Sequence, residues 1–332
     1  MKTILCLVQL HLPIFHLNNN MKGISVIIPV YNREAFIREA IQSIFDQNYE
    51  GGLEIIVSDD GSTDRSLEIA ASFGTQVKVI LKPEGCASQG VSGARNRGIV
   101  AATHPYISFL DSDDFYLPGH LSRMVRVLES KMELGFVFSR ILQLKEENGS
   151  RLFSPWTRVK LTKRDILYPV ISGSNVVHTN AFLFKRDVFE TVGFFNESYT
   201  NGEDGDMWMR VSEQYIGGFS DHYGAVYRIG HNYNQLTDKN NQDQIQRCFK
   251  GVYTDALVRC QSHSRMDRYR LFRLRLILAY FNHPIWLTLF CVAIQHPLHF
   301  CITAISQKLA LYLKKTSVHM DLEKINRIPT NI

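Results

Sequence analysis

Hydrophobic residues in the first third of the chain occur as short continuous runs that alternate with runs of helical spacing. The continuous runs at 24–30, 53–57, 77–81 and 106–110 are rich in β-branched residues, which is typical of buried strands. Between the first two, residues 34–47 carry apolar side chains at the spacing of one helix face. Strands that alternate with helices indicate an α/β domain whose parallel strands are joined by right-handed crossovers.

The pattern continues in the middle of the chain with less regular spacing. Apolar positions predict a helix over 118–131, a strand over 136–144 and another strand over 181–184. A short helix is predicted to follow at 186–191. A further helix is predicted to begin near Asp204, which places several acidic residues at its positively polarised N-terminus.

Polar residues stand directly after three of the predicted strands. The carboxyl ends of parallel strands meet at one edge of a sheet, and ligands bind beyond that edge. The residues that follow these strands are Pro29, Tyr31, Asn32, Asp59, Asp60, Asp111 and Asp113. We therefore expect them to converge on one site.

The segment after the fourth strand, Asp111-Ser-Asp113-Asp114, places three carboxylates within four residues. A divalent cation among the oxygens would relieve their repulsion, since hard cations such as Mg²⁺ and Mn²⁺ prefer carboxylate and phosphate oxygens. The alternative is a polar turn that caps the next helix, because Asp is a favourable N-cap residue. Helix capping is likewise the alternative interpretation of Glu203 and Asp204.

Charge and cysteine content add two expectations. The net charge of +5 is uneven: residues 247–332 hold 13 Lys and Arg against 4 Asp and Glu, whereas residues 1–246 hold 24 against 28. A basic C-terminal region indicates an anionic partner, either a membrane surface or a nucleic acid, or else a solvated helix face. The six cysteines are scattered without metal-type spacing, which indicates free thiols in a reducing compartment.

The two ends of the chain differ from its body. Residues 1–20 match a signal peptide poorly and are interpreted as a dispensable extension. Residues 276–307 contain no charged side chain, but Pro284 and Pro297 divide them into two helices too short to span a bilayer. Flanking basic residues favour a helical hairpin on an anionic membrane surface, and a helical subdomain packed on the body is the alternative.

Five motifs occur in order and make residues 22–232 resemble a family 2 glycosyltransferase. They are Val26-Ile-Ile-Pro-Val-Tyr-Asn32, Ile55-Ile-Val-Ser-Asp59-Asp60-Gly-Ser-Thr-Asp64, Gly93-Ala-Arg-Asn-Arg-Gly98, Phe109-Leu-Asp111-Ser-Asp113-Asp114 and Gly202-Glu-Asp204-Gly-Asp-Met-Trp208-Met-Arg210. The resemblance implies a GT-A type, Rossmann-like, mainly parallel sheet flanked by helices. The implied domains are an N-terminal extension at 1–21, a nucleotide-sugar-binding and catalytic domain at 22–245, and a basic, apolar helical region at 246–332.

The resemblance also implies roles for residues at the strand ends. Pro29 and Tyr31 would border the nucleotide base, and Asp60 would accept a hydrogen bond from uracil. Asp113 would bind Mn²⁺ or Mg²⁺ directly, while Asp111 would contact the ribose or a water on the cation. The cation would stabilise the growing charge of the leaving nucleoside diphosphate.

Further roles concern the acceptor side. Asp204 would be the general base that removes a proton from the acceptor hydroxyl, in a single displacement that inverts the anomeric centre. Glu203 would lie near the acceptor. Arg95 would neutralise the diphosphate or be a solvated helix charge, and Trp208 would stack on a sugar or belong to the core. His231 follows an arginine by three residues, whereas many relatives place a histidine two residues after it, so its role stays open.

The predicted function is metal-dependent, inverting transfer of a sugar from a nucleotide-diphosphate donor, with UDP-sugar favoured, to a glycan or lipid-linked acceptor. The expected setting is cell-surface polysaccharide or lipid-linked glycan synthesis at the cytoplasmic face of the membrane, with peripheral contact through 265–315 and no nucleic acid partner. The alternatives are a nucleotide-sugar-binding protein without transferase activity and a nucleotidyltransferase. The latter usually carries a glycine-rich loop after its first strand, whereas this chain has Pro29-Val-Tyr-Asn-Arg-Glu34.

Overall fold

The computed structural model describes residues 21–147, 149–156, 177–230 and 242–262. Within these ranges, helices pack against one nine-stranded sheet. The strands are β1 (Ile24–Val30), β2 (Leu53–Asp59), β3 (Val77–Ile80), β4 (Tyr106–Phe109), β5 (Phe115–Tyr116), β6 (Leu134–Glu147), β7 (Ser150–Pro155), β8 (Phe182–Lys185) and β9 (Ile216–Ile229). The helices are α1 (Ile37–Phe45), α2 (Ser66–Ala71), α3 (Gly90–Ala101), α4 (His120–Glu129), α5 (Asp187–Val192), α6 (Glu203–Gln214) and α7 (Gln242–Ser262).

The first four strands form the parallel part of the sheet, in the order β3-β2-β1-β4. Every residue of β1 and of β4 is buried, which explains their continuous apolar runs. Helix α1 buries one face through residues that include Ile37, Ile41 and Ile44. The α/β domain predicted from alternating periods is therefore confirmed in this half.

The second part of the sheet is mixed. Strand β8 runs antiparallel to both β4 and β6, β9 is parallel to β6, and the short β5 is antiparallel to β9. Strand β6 also pairs antiparallel with β7, from Leu142 opposite Pro155 to Glu147 opposite Ser150. Among the strands that the structure describes, parallel pairing is confined to β3-β2-β1-β4 and to β6-β9, so this sheet is less parallel than expected.

Strand β9 is a long element without a strand-like sequence pattern. Glycines reduce its β-propensity, but each stands where another side chain approaches the backbone. A Cβ on Gly217 would lie 2.4 Å from Phe136 Cζ, and one on Gly224 would lie 2.1 Å from His120 Nδ1. The residues that weaken the sequence signal are thus the ones that allow β9 to pack.

Helix α7 contacts α6 and the segment that precedes α6. Arg259 pairs with Asp206 and Glu213 at 3.2 Å each, and the Tyr199 hydroxyl donates to the Asp255 carboxylate. Because α7 begins at Gln242, the domain boundary predicted at residue 245 falls inside this helix.

Several predictions fall outside the described residues. They are the N-terminal extension up to residue 20, the role of His231 and the membrane-surface helices within 265–315. Among the residues that the structure does describe, no helix combines the length and apolar character needed to cross a bilayer.

Candidate active site

The loops after β1, β2 and β4 meet at the carboxyl edge of the parallel strands. The Asp60 amide donates to the Val30 carbonyl at 2.9 Å, which joins the ends of β2 and β1. Arg33, in the loop after β1, donates through Nε to Asp113 Oδ2 at 3.2 Å. The convergence predicted for the polar residues at these strand ends is confirmed.

Asp60 lies where the N-terminus of α3 approaches the end of β2. Its buried carboxylate accepts hydrogen bonds from the Gly90 amide at 2.9 Å, from Arg97 at 3.1 Å and from the Ser88 hydroxyl. Nearby, Tyr31 is 53% exposed, as a side chain that borders a ligand would be. Asp60 is thus a firmly held hydrogen-bond acceptor, and the neighbouring loop carries an exposed aromatic side chain.

Pro29 has a different setting from Tyr31. It is the buried penultimate residue of β1, opposite Ser58 of β2. Proline has no amide hydrogen and a fixed φ, so Pro29 sets the direction in which the following loop leaves the sheet.

The acidic turn after β4 is closed by its own backbone and anchored by Asp114. The Asp114 amide donates to the Asp111 carbonyl at 3.0 Å. The Asp114 carboxyl accepts from Asn180 Nδ2 at 2.6 Å and from the Arg228 amide at 2.8 Å. Burial, followed by the nearby charges of Asp113 and Asp111, raises the pKa of Asp114 well above its usual range. Asp114 therefore fixes the shape of the turn.

Two further residues hold this turn from other elements. Asn180, in a 3₁₀ turn before β8, accepts from the Asp111 amide through Oδ1 at 2.9 Å. Arg228, near the end of β9, donates to the Asp113 carbonyl at 2.9 Å and to Glu39 Oε2 at 2.7 Å. The conformation of the acidic turn thus depends on α1, β8 and β9 together.

Arg95 joins the acidic turn to the start of α6. Its side chain, in a residue only 3% exposed, donates to Asp111 Oδ1 at 2.8 Å and to Glu203 Oε1 at 2.9 Å. The guanidinium carbon also lies 5.3 Å from the ring centroid of Phe195. The solvated-charge interpretation of Arg95 is wrong, because the residue is buried and paired with two carboxylates.

The two acids at the start of α6 have different environments. Glu203 is buried; burial and the charge of Asp204, opposed by Arg95, raise the pKa of Glu203 to about 7. Asp204 is partly exposed, and its Oδ1 accepts from the Gly205 amide at 2.7 Å. Of the two, Asp204 is the carboxylate that a substrate can reach.

A divalent cation fits the donor atoms around Asp111. Ligand atoms of Asp111, Asp114 and His178 all lie within 4.8 Å of one another. Burial lowers the pKa of His178, although the charges of Asp111 and Asp204 act in the opposite direction. Carboxylate oxygens suit Mg²⁺ and Mn²⁺, and a neutral imidazole is a common metal ligand in general. Asp113, the expected direct ligand, lies outside this cluster and against Arg33.

His178, Asn180 and Arg33 also lie at the site, although none of them was predicted from the sequence. His178 and Asn180 lie just before a short strand and follow no motif that marks a ligand. Trp208 stacks on Phe182 with ring centroids 4.1 Å apart and is 2% exposed. Trp208 therefore belongs to the core, which excludes sugar stacking in this conformation.

Comparison with known proteins places this arrangement among glycosyltransferases. The model of the family described as "Glycosyl transferase family 2" matches residues 25–193. A Rickettsia typhi protein named an uncharacterized glycosyltransferase is 32% identical over 199 residues, which are 58% of this chain and 60% of that protein. The Campylobacter jejuni GalNAc(5)-diNAcBac-PP-undecaprenol beta-1,3-glucosyltransferase is 31% identical over 200 residues, 58% of this chain and 61% of that protein. The matches thus span about three fifths of each of these two relatives.

Two solved structures illustrate the fold that this chain shares with known proteins. Staphylococcus aureus TarS 1–349 in complex with UDP-GlcNAc superimposes with a TM-score of 0.60 at 18% identity, covering 78% of this chain and 71% of that one. The mannosyltransferase PcManGT from Pyrobaculum calidifontis, in complex with GDP-Man and Mn²⁺, gives a TM-score of 0.53 at 18% identity, covering 89% and 82%. At this identity the likeness establishes the GT-A fold.

Proposed function

Because the chain belongs to glycosyl transferase family 2, we propose that it transfers a sugar from a nucleoside diphosphate to an acceptor hydroxyl with inversion of the anomeric centre. The observation that carries this proposal is the Asp111–Arg95–Glu203 bridge. It links the acidic turn after β4, on the donor side, to the start of α6, which carries Asp204. A nucleotide-binding edge and an accessible carboxylate are thereby held in one rigid unit.

In the proposed site, Tyr31 and Asp60 hold the base of the nucleotide, with UDP as the favoured nucleotide. A carboxylate that is already fixed by protein donors can accept one more N–H without reorganising, which makes the recognition selective. Asp111 and Asp113 would hold Mn²⁺ or Mg²⁺, with His178 beside them. When bound, such a cation neutralises the charge that develops on the leaving diphosphate.

The acceptor hydroxyl would approach Asp204 from the side opposite the diphosphate. Asp204 Oδ2 takes the proton while the hydroxyl oxygen attacks the anomeric carbon, and the bond to the diphosphate breaks. A single base suffices for this displacement, in contrast to the carboxylate pairs of glycoside hydrolases. Glu203, held by Arg95, keeps the start of α6 at a fixed distance from the acidic turn.

The acceptor is proposed to be a glycan or lipid-linked glycan at the cytoplasmic face of a membrane. The C. jejuni relative, whose name specifies an undecaprenol-linked substrate, supports this class of acceptor. The basic composition of residues 247–332 supports contact with an anionic surface. Association of the full chain with anionic vesicles in a flotation assay tests this part of the proposal.

The donor and the cation are tested by incubating the full chain with a panel of nucleotide-sugars and following release of the nucleoside diphosphate. We expect turnover with a UDP-sugar that requires Mn²⁺ or Mg²⁺ and stops with EDTA. Binding of UDP that is equally tight with and without EDTA would contradict the role assigned to the cation.

The role of Asp204 is tested by Asp204→Asn. We expect UDP affinity to remain within about twofold of wild type while transfer falls by about 10² to 10⁴, the range for loss of a general base. Asp187→Asn is the matched control, since Asp187 is an exposed aspartate at the start of α5. Retained turnover in Asp204→Asn would assign the base to another residue.

A further inference from the structure

Arg33 contacts both the loop that borders the nucleotide base and the acidic turn. We propose that Arg33 is a diphosphate-binding residue that exchanges partners, neutralising Asp113 before the donor binds and the diphosphate afterwards. This inference rests on the proposed function, because it requires a cation and a nucleoside diphosphate at the site.

The backbone of Arg33 is fixed while its side chain reaches across the site. The Arg33 amide donates to Ser66 Oγ at 2.7 Å, and its carbonyl accepts from the amides of Phe36 and Ile37. The preceding Asn32 has a φ of 51°, in the left-handed region, which turns the chain sharply at this point. The loop is thus anchored, and rotation about side-chain bonds is enough to re-aim the guanidinium.

The guanidinium lies between the two ends of the proposed donor site. Its Nη1 donates to the carbonyls of Tyr31 at 3.2 Å and Asn32 at 3.0 Å, beside the base-binding loop. Its Nε donates to Asp113 at 3.2 Å, and both side chains of this pair are 16% exposed. A diphosphate that connects a base near Tyr31 to a cation on the acidic turn would therefore lie beside this guanidinium.

The two states of Arg33 predict opposite effects on binding of the cation alone and on binding of the nucleotide. Before the donor binds, Arg33 competes with a cation for Asp113, because both neutralise the same carboxylate. Once the donor is bound, the guanidinium can donate two parallel hydrogen bonds to phosphate oxygens, for which its planar shape is suited. Loss of the side chain should therefore strengthen binding of the cation alone and weaken binding of the nucleotide.

The experiment compares the full-length wild type with Arg33→Gln and Arg33→Lys. Free Mn²⁺ is measured by electron paramagnetic resonance in a titration without nucleotide, and UDP binding at saturating Mn²⁺ is measured by calorimetry. In Arg33→Gln we expect Mn²⁺ alone to bind about two- to fivefold more tightly, the range for losing a partly exposed ion pair. We expect UDP to bind roughly tenfold more weakly or worse, as for loss of a charged hydrogen bond.

Arg33→Lys keeps the charge but loses the planar donor pair, so Mn²⁺ affinity should stay within about twofold while UDP affinity falls between wild type and Arg33→Gln. Arg65→Gln is the matched control, since Arg65, directly before α2, forms an exposed pair with Glu68 of that helix, and both affinities should stay unchanged. Cooperative thermal unfolding will confirm that each variant is folded. If Arg33→Gln does not fold, the comparison of Arg33→Lys with wild type tests the proposal.

Two results overturn the inference. Affinities for Mn²⁺ and UDP that fall together, or stay at wild-type values, in Arg33→Gln would make Arg33 a structural residue of the loop. UDP affinity in Arg33→Lys equal to wild type would exclude direct recognition of the diphosphate by the planar group. Failure of the wild type to bind UDP with Mn²⁺ would instead refute the proposed function, so the two failures are distinct.

Discussion

Replacing Arg95 with Met should destabilise the protein more at pH 8.5 than at pH 6. In wild type, burial and Asp204, opposed by Arg95, raise the pKa of Glu203 from 4.5 to about 7. A folded-state pKa above the unfolded value means that the folded protein binds the extra proton, so stability falls as pH rises between 4.5 and 7. At about 1.4 kcal/mol per pKa unit, this amounts to roughly 3 kcal/mol.

Without Arg95 the pKa of Glu203 rises further, and the loss of stability continues above pH 7. At pH 8.5 Glu203 is charged and paired with Arg95 in wild type, whereas in Arg95→Met its carboxyl must either keep its proton or be buried as an unpaired charge. At pH 6 Glu203 is largely protonated and only Asp111 loses an ionic partner. We therefore expect the stability gap between wild type and Arg95→Met to widen by about 2 kcal/mol from pH 6 to pH 8.5.

Urea denaturation followed by tryptophan fluorescence at the two pH values measures this gap. In Arg95→Met/Glu203→Gln the titrating group is absent, so the gap to Glu203→Gln should no longer change with pH. Arg65→Met, which alters only an exposed ion pair, should leave stability nearly unchanged at both pH values. A gap in Arg95→Met that is equal at pH 6 and pH 8.5 would refute the coupling between Arg95 and Glu203.

Two other predictions concern the packing of α3 on the sheet and the anchoring of α7. Gly98→Ala should lower the free energy of unfolding by about 1–3 kcal/mol, because the added Cβ would lie 2.3 Å from Ile27 Cγ2 in the core. An unchanged midpoint in urea denaturation would contradict this contact. Gly205→Ala is its control and should stabilise by about 0.5 kcal/mol, since no atom lies within 4 Å of the added Cβ in α6. Arg259→Ala should speed hydrogen exchange in α7 more than in the central sheet, because it removes the ion pair between Arg259 and Asp206. Exchange rates in α7 that equal those of wild type would show that this ion pair does not anchor the helix.

The parallel half of the fold could be predicted because its signals are local. Strands β1 and β4 are buried along their whole length, and β2 is buried from Ile55 onward, so their sequences read as continuous apolar runs with clear ends. Parallel order then placed Asp60 and Asp111 at one edge without any knowledge of side-chain contacts. Strand β9 could not be predicted, because its glycines leave space for the side chains of Phe136 and His120, which are far away in the sequence.

The hydrogen bonds and ion pairs within the site were harder to predict from the sequence than the location of the site. Whether Arg95 faces solvent or two carboxylates depends on how α6 packs against α3, and no local pattern encodes that packing. His178 and Asn180 reach the site only because β8 runs antiparallel beside β4. The predicted roles of Asp113 and Asp204 remain predictions, which the cation titrations and Asp204→Asn will test.

The parallel pairing of β9 with β6 has a consequence for the order of folding. Residues 148–215 separate β6 from β9 in the sequence, so this whole segment must be synthesised before β9 can reach β6, and contacts between distant segments form slowly. Arg228, whose amide bonds Asp114 and whose guanidinium holds the Asp113 carbonyl, arrives with that strand. A ribosome-bound chain that ends near residue 200 should therefore contain the parallel strands but an unfinished acidic turn. Pulsed hydrogen exchange would detect this as protection of β1 that precedes protection of the Arg228 amide, and simultaneous protection would argue for a single concerted step.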